Sequence, residues 1–517
     1  MKRSDIHYSI YILGVIVLMA SIPLSHFLMG LVCFILFLNW VAEWNWREKW
    51  ERARHNWQGF LLAGVFCIGL LGLIRTDDWA NAGSLLLSQL PILFSPIIII
   101  SSKNFSKRAI DWIFNAFILA TFFGCICSII YWLTHTVNDI REISIFIDHI
   151  RFSLCIVLSM VLCLQAAVRR VDISKVWRIG YTVLALLMFV YLFVAQTLTG
   201  IITALVIVVL YIVYLLCKMP NNRMKWSLFT VMLLVLLAVA SYAGYITYQY
   251  YYDQDTMIMA KRTEQGNPYE FNVESIVENG HRIDYYVCKS ELVDAWSQRS
   301  DKEYDGMLEQ TLIRYLNSKG LRKDFGAVMS LSEKEIHDVE SGIANFEYTK
   351  SFGLKKALYP TFFCFSLYKN CGYIDNSSLL QRVELWRTSC DILRDNWLFG
   401  VGLGDYKAAL DAKLEANGST IAYKHNRGCH NQFLTYWLIG GVLAVGYFIF
   451  ILLYPFFKMK QKVDFVYVSF FLIMVLSMFV EDTIASQTGR MLFVVINPLL
   501  LFSLPMKDVE KTGVSNL

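Results

Sequence analysis

The stretch QRVELWRTSCDILRDNWLFGVGLGDYK at 381–407 leads, after a polar gap, into CHNQFLTYWLIGG at 429–441 and on through VLAVGYFIFILLYPF at 442–456. The run from 430 to 456 is long and apolar enough to cross a bilayer, where about 20 apolar residues suffice. Its first residues are His430, Asn431 and Gln432, so a titratable imidazole stands at the mouth of a membrane helix. Upstream, Arg382 and Trp386 have the spacing that puts two side chains on one face of a helix. Gly400, Gly402 and Gly404 then break the helix and allow a close backbone approach to a ligand. A cation, a glycine turn and an imidazole at a membrane surface suit a phosphate-bearing, lipid-linked substrate. The same residues also fit a capped helix mouth with a solvated histidine.

Outward from this stretch the chain reads as an all-α multi-pass membrane protein. Its 517 residues are 56% hydrophobic and only 17% charged, with a mean hydropathy of +0.45, beyond the range of a soluble domain. Twelve transmembrane helices are expected, near 9–26, 27–43, 57–74, 84–101, 109–134, 150–168, 177–196, 199–217, 226–248, 430–456, 464–481 and 488–505. The division is then helices 1–9 at 1–248, a large, mostly helical loop at 249–429, helices 10–12 at 430–505 and a tail at 506–517.

Charge sets the orientation. Every even-numbered connection is basic: Arg47, Lys49, Arg52 and Arg54; Lys103, Lys107 and Arg108; Arg169, Arg170, Lys175 and Arg178; Lys218, Arg223 and Lys225; Lys458, Lys460 and Lys462. With Lys2, Arg3, Lys507 and Lys511 these are twenty-one, against Arg75, Arg141, Arg151 and Arg490 in the short odd-numbered connections. Both termini are expected in the cytoplasm and the long loop outside. The first segment reads as a retained anchor, because no small-residue cleavage site follows its apolar run. With the basic residues gathered on one side of the membrane, the net charge of +5 gives no reason to expect nucleic acid.

On the expected outer face several polar residues converge at helix ends: His149 and Arg151, Thr197–Gly200, His430, Glu481 and Asp482, then Gln487 and Arg490. Each alone fits a solvated anchor or a helix-end network, but together, beside the one large loop, they outline a site. The loop is too long for a passive connection. Helices are expected near 288–301, 305–318, 331–345 and 378–395, the third opened by a Ser332–Glu335 capping box. The basic clusters Arg314 with Lys319 and Arg322 with Lys323 either touch phosphate or sugar or form a solvated face. Cys364 and Cys371 are close enough in sequence to pair in an oxidising compartment. The cysteines lack paired CxxC spacing, and the outer face lacks HExxH, DxD-like and nucleotide-binding motifs, so neither metal nor cofactor is expected.

These residues carry a family resemblance. Arg382 and Trp386 as R-x-x-x-W, GVGLGDY at 400–406 and HNQFL at 430–434 follow one another in the order that is similar to the O-antigen ligase and polymerase superfamily of bacterial envelope glycosyltransferases. HIRFSL at 149–154, EDTIASQTG at 481–489, EQGNPYEFN at 264–272 and LIRYLNSKGLRKD at 312–324 agree with it. One string departs: many members open a mid-chain helix with S-R-[TS]-G, whose arginine is thought to hold the donor diphosphate. Here Thr197-Leu198-Thr199-Gly200 stands in its place, and Arg151 is the alternative source of that charge.

The resemblance implies a metal-independent glycosyltransferase at the periplasmic face of the inner membrane. It would move a glycan from undecaprenyl diphosphate to lipid A–core, to a second lipid-linked repeat unit, or to a protein hydroxyl. His430 is then expected to act on the acceptor, with Arg382 and Arg151 on the diphosphate and Glu481 and Asp482 orienting His430 or an arginine. His149, Asn431, Gln487, Trp386, Gly402 and Gly404 complete the expected substrate-binding set. A lipid-linked glycan flippase or transporter would more often show two related halves, which nine helices before the loop and three after it do not suggest. A non-catalytic partner-binding protein would need neither His430 nor Arg382.

Overall fold

A computed structural model describes residues 3–137, 140–169, 174–218, 220, 222–255, 260–272, 274–350, 353–374, 377–423 and 427–503. Lys2, Arg170, Lys507 and Lys511 of the charge pattern, and the tail at 506–517, lie outside these residues. Helices make up 74% of the chain and strands almost none, so the chain is an all-α multi-pass membrane protein. Among the described residues eight helices are long and apolar enough to span a bilayer, and the bent pair His26–Ala42 and Trp46–His55 would be a ninth if it counts as one span. Three shorter apolar helices, Gly59–Arg75, Phe465–Val480 and Gln487–Ser503, fall where the remaining apolar runs were read.

The bend in the pair is 115°, so Arg47, Lys49, Arg52 and Arg54 form a helix of their own. Lys49 is the pin. It is buried, ion-paired to Glu43 at 3.1 Å, and sits over the rings of Trp40 and Trp46 at 5.2 and 5.1 Å. Desolvating an ammonium is tolerable only with such partners, and they hold the turn shut.

The chain divides into two compact units, 1–215 with 384–517, and 216–383. In the first, His149–Val168 and Gln432–Lys458 are the most enclosed spans, with 72% and 56% of their apolar windows buried. Phe465–Val480 packs against both. Asn431 starts Gln432–Lys458 as its N-cap, its side chain accepting from the backbone N–H groups of Phe433 and Leu434 at 3.0 and 3.1 Å. The helix breaks at Gly440–Gly441. There the Leu438 carbonyl accepts from the Val401 N–H at 2.7 Å, and the Val442 N–H donates to the Trp397 carbonyl at 3.0 Å. Gly441 has φ +71, and a Cβ on it would overlap the Leu398 carbonyl. Only glycine lets the 397–401 segment lie in the break, which satisfies backbone groups that lipid cannot.

The second unit contains the apolar helix Asn222–Tyr251 and most of the long loop. Helices Lys289–Ser297, Gly306–Ser318 and Glu333–Glu340 lie where caps and apolar spacing place them, and both hydrogen bonds of the Ser332–Glu335 capping box form. Two small hairpins, pairing Glu270–Phe271 with Tyr285–Val287 and Val277–Glu278 with His281–Arg282, were not legible in the sequence. Nor was the helix Leu354–Cys371. That helix rules out the expected disulfide: Cys364 and Cys371, seven residues apart on it, are separated by about 10 Å of helix rise, and both are free thiols. The basic clusters are internal ties. Arg314 grips the buried Glu278 with two hydrogen bonds of 2.9 and 2.8 Å, and Lys319 pairs with Glu335 at 2.5 Å. Arg322 stacks over Tyr286 at 5.2 Å. Lys323 is buried and donates to the carbonyls of Arg282 and Tyr285 and to Asn317. Its burial lowers the amine to about 8.

Candidate active site

Three helix ends meet on one face of the first unit. Phe465–Val480 finishes where His149–Val168 and Gln432–Lys458 begin, so Glu481 and Asp482, the next two residues, reach both starts. Glu481 Oε2 lies 3.1 Å from His430 Nδ1 and accepts from Arg151 Nη2 at 3.2 Å. Arg151 Nη1 donates to Asp148 Oδ1 at 3.1 Å, and His149 Nδ1 stands 3.8 Å from Asp148 Oδ2. Glu481 is 3% exposed and Arg151 15%, whereas the His430 side chain is 38% exposed. The interior end of this chain of charges is dry and its imidazole end is open.

An ionised carboxylate only accepts, so a Glu481 carboxylate would place the shared proton on Nδ1. Nε2, on the opposite edge of the ring, would then be the nitrogen available to take up a proton. Such a pair can act as an oriented base, in which the acid fixes the tautomer and stabilises an imidazolium.

The backbone of His430 is held as firmly. Its φ is +49, the left-handed region that costs a non-glycine residue about 1–2 kcal/mol. Asp482 offsets this: its Oδ2 accepts the His430 N–H at 3.2 Å and its Oδ1 the Asn431 N–H at 3.1 Å and the Thr435 hydroxyl. Trp386 Nε1 donates to the His430 carbonyl at 3.3 Å. Asn431 Nδ2 ties the cap to the Phe479 carbonyl at 3.1 Å. Burial pushes the Asp482 carboxyl above the usual carboxylate range. Asp482 therefore serves as a buried acceptor of backbone donors, with Glu481 as the acid that meets the imidazole.

Of the residues read from the sequence, His430, Asn431, Trp386, Glu481, Asp482, Arg151 and His149 share this cluster. Gln487 does something else: its Nε2 donates to the His26 carbonyl at 2.8 Å, fastening the turn after Asp482 to the start of helix His26–Ala42. The glycine turn approaches protein rather than leaving space. A Cβ on Gly402, at φ +103, would lie 2.8 Å from the Arg75 carbonyl oxygen, and one on Gly404 would overlap the Asp78 carbonyl. Asp405 completes the seam by accepting from the backbone N–H groups of Asp77 and Asp78 at 2.8 and 3.2 Å. Arg382 belongs to the second unit, on helix Ser378–Asn396 and one turn ahead of Trp386. Arg490 turns inward to the carbonyls of Ile484, Ala485 and Ser88.

Sequence reading missed Asp148, the second carboxylate on Arg151. Its signal was local: an aspartate before an apolar helix, accepting the Ile150 N–H at 3.0 Å as a helix-start residue does. Gln432 was also missed. It is buried and accepts the Ile484 N–H at 2.8 Å, which ties the two helix starts together. Among the described residues no group of three or more His, Cys, Asp or Glu is placed to hold a metal ion.

No curated protein matches the chain. Residues 342–449 match the family model described as O-antigen ligase, a segment that contains Arg382, Trp386, the glycine turn and His430. On that segment the chain is similar to the O-antigen ligase family, which supports the resemblance to the O-antigen ligase and polymerase superfamily that its motifs carry.

Proposed function

We propose that the chain is an O-antigen ligase-type glycosyltransferase of the inner membrane. It would transfer a glycan from an undecaprenyl-diphosphate donor to lipid A–core at the periplasmic face. The observation that carries this reading is the His430–Glu481–Arg151 chain at the mouth of a membrane helix, with His430 inside the segment that matches the family. In the step, an acceptor hydroxyl attacks the anomeric carbon of the donor sugar. The new C–O bond forms as the bond to the diphosphate breaks, and His430 Nε2 takes the hydroxyl proton. The lipid diphosphate leaves with the bonding electrons, and a cation must meet it.

Arg151 already commits two donors to carboxylates, which favours a positioning role for it. Gly200, in the first turn of helix Leu198–Lys218, packs against Ser153, two residues along from Arg151. We assign the departing diphosphate to Arg382 of the R-x-x-x-W motif, whose planar guanidinium can bind phosphate oxygens in pairs. The polymer-bearing surface lipid of a deletion strain, separated on a gel, tests the assignment. Loss of all polymer from lipid A–core supports the ligase. Retention of a single repeat unit makes the chain a polymerase, and an unchanged ladder with loss of glycosylated protein makes it a protein O-oligosaccharyltransferase.

A further inference from the structure

At the far end of helix Gln432–Lys458, about 39 Å of helix rise from Gln432, the first unit has a cavity of about 680 Å³. Three connections and a helix end build it. His55 comes from the end of the bent helix Trp46–His55, Lys458, Lys460 and Lys462 from the turn into Phe465–Val480, and Phe502 from the last helix. Side-chain amides complete the polar lining, and among the described residues no carboxylate lines it. Among the described residues none of the three lysines has an ion-pair partner. Lys462 lies over the Phe502 ring at 4.9 Å, and its partial burial lowers its amine below the ordinary lysine value. Phe457 is exposed at the rim.

Three ammonium groups around one hollow repel each other unless an anion joins them. Neutral amides add donors without a competing negative charge, and an exposed phenylalanine at the edge suits an acyl chain. Basic pockets at the ends of membrane helices bind anionic headgroups in this way. We propose that this cavity is a binding site for the phosphate of an anionic phospholipid headgroup, distinct from the His430 site and at the opposite end of the same helix. The lysines contact the phosphodiester, the amides hold the headgroup hydroxyls, and Phe457 borders the acyl chains.

The test uses purified full-length protein in neutral detergent, with short-chain phosphatidylglycerol, short-chain phosphatidylcholine and inorganic phosphate as probes. Phosphatidylglycerol is expected to bind saturably and phosphatidylcholine not to compete. Each lysine near an anionic lipid contributes roughly a fivefold effect, so Lys458→Gln/Lys460→Gln/Lys462→Gln should weaken binding roughly a hundredfold. The matching arginine triple should retain it. Arg47→Gln/Arg54→Gln removes two exposed cations of the neighbouring helix and should leave affinity unchanged. Equal loss in that pair, or undiminished binding in the lysine triple, overturns the site. Saturation by inorganic phosphate with the same lysine dependence keeps the phosphate chemistry but overturns the lipid as its source. Should the triple not fold, Lys460→Gln alone must still show its roughly fivefold loss.

Discussion

Glu481→Gln separates the proposed chemistry from simple helix anchoring. The amide keeps the side chain's shape and one acceptor, so Nδ1–H of His430 can still be met across the 3.1 Å gap. The negative charge is lost in a place that is 3% exposed. Two consequences follow. The imidazolium formed during proton transfer loses its counter-charge, and a general acid–base role is worth about 10²–10⁴-fold, or about 3–5 kcal/mol of barrier. Arg151 also loses one of its two carboxylates. Because Asp148 remains at 3.1 Å, the stability cost should be near that of one charge-assisted hydrogen bond, about 1.5–3 kcal/mol. The assay is glycan transfer by purified protein from a lipid-linked donor, with donor affinity and thermal unfolding measured beside it. Transfer should fall by at least about a hundredfold while donor affinity and membrane abundance hold. Transfer within about threefold of wild type at equal abundance would amount to under about 1 kcal/mol and would leave Glu481 as a structural anchor only.

Other predictions follow from the same geometry. Asp482→Asn leaves at least one of the His430 and Asn431 backbone N–H groups without an acceptor, so thermal stability should drop by about 1–3 kcal/mol; an unchanged unfolding temperature would show that these bonds contribute nothing. Gly441→Ala must overcome both the left-handed backbone, about 1–2 kcal/mol, and the overlap with the Leu398 carbonyl, whereas Gly446→Ala meets nothing within 4 Å. Equal stability of the two variants, by thermal unfolding in detergent, would refute the insertion of the 397–401 turn. Alkaline phosphatase fused within 260–420 should be active, and fusions at 103–108 or 458–462 inactive. The reverse pattern would turn the His430 cluster towards the cytoplasm.

Much of the fold was legible because lipid imposes simple rules. An apolar run of about 20 residues has few alternatives to a membrane helix, and the capping pair Ser332 and Glu335 marks a helix start by local chemistry. Pairings between distant residues were not legible. Arg314 looked like a free cation because its partner Glu278 lies 36 residues earlier, on a strand of two residues that is too short to show alternation. Likewise, the glycines of 400–406 announce close approach, but not that the approaching surface is the backbone of Arg75 and Asp78. Within the site, the Glu481–His430 contact was anticipated, because both residues end on one face of the membrane. Arg151 was read as a phosphate ligand since its sequence neighbourhood does not show that Glu481, 330 residues away, already holds it.

The central claim is that His430 is the base and Arg382 the cation for the leaving diphosphate. The most direct measurement takes His430→Ala, Arg382→Ala and Arg382→Lys at matched membrane abundance and determines lipid-linked donor affinity and glycan transfer for each. His430→Ala should lose about 10²–10⁴-fold in transfer with donor affinity intact. Arg382→Ala should lose both, and Lys should restore little, since an ammonium cannot offer the guanidinium fork. Near-normal transfer by His430→Ala would contradict the account and return this histidine to a solvated helix mouth.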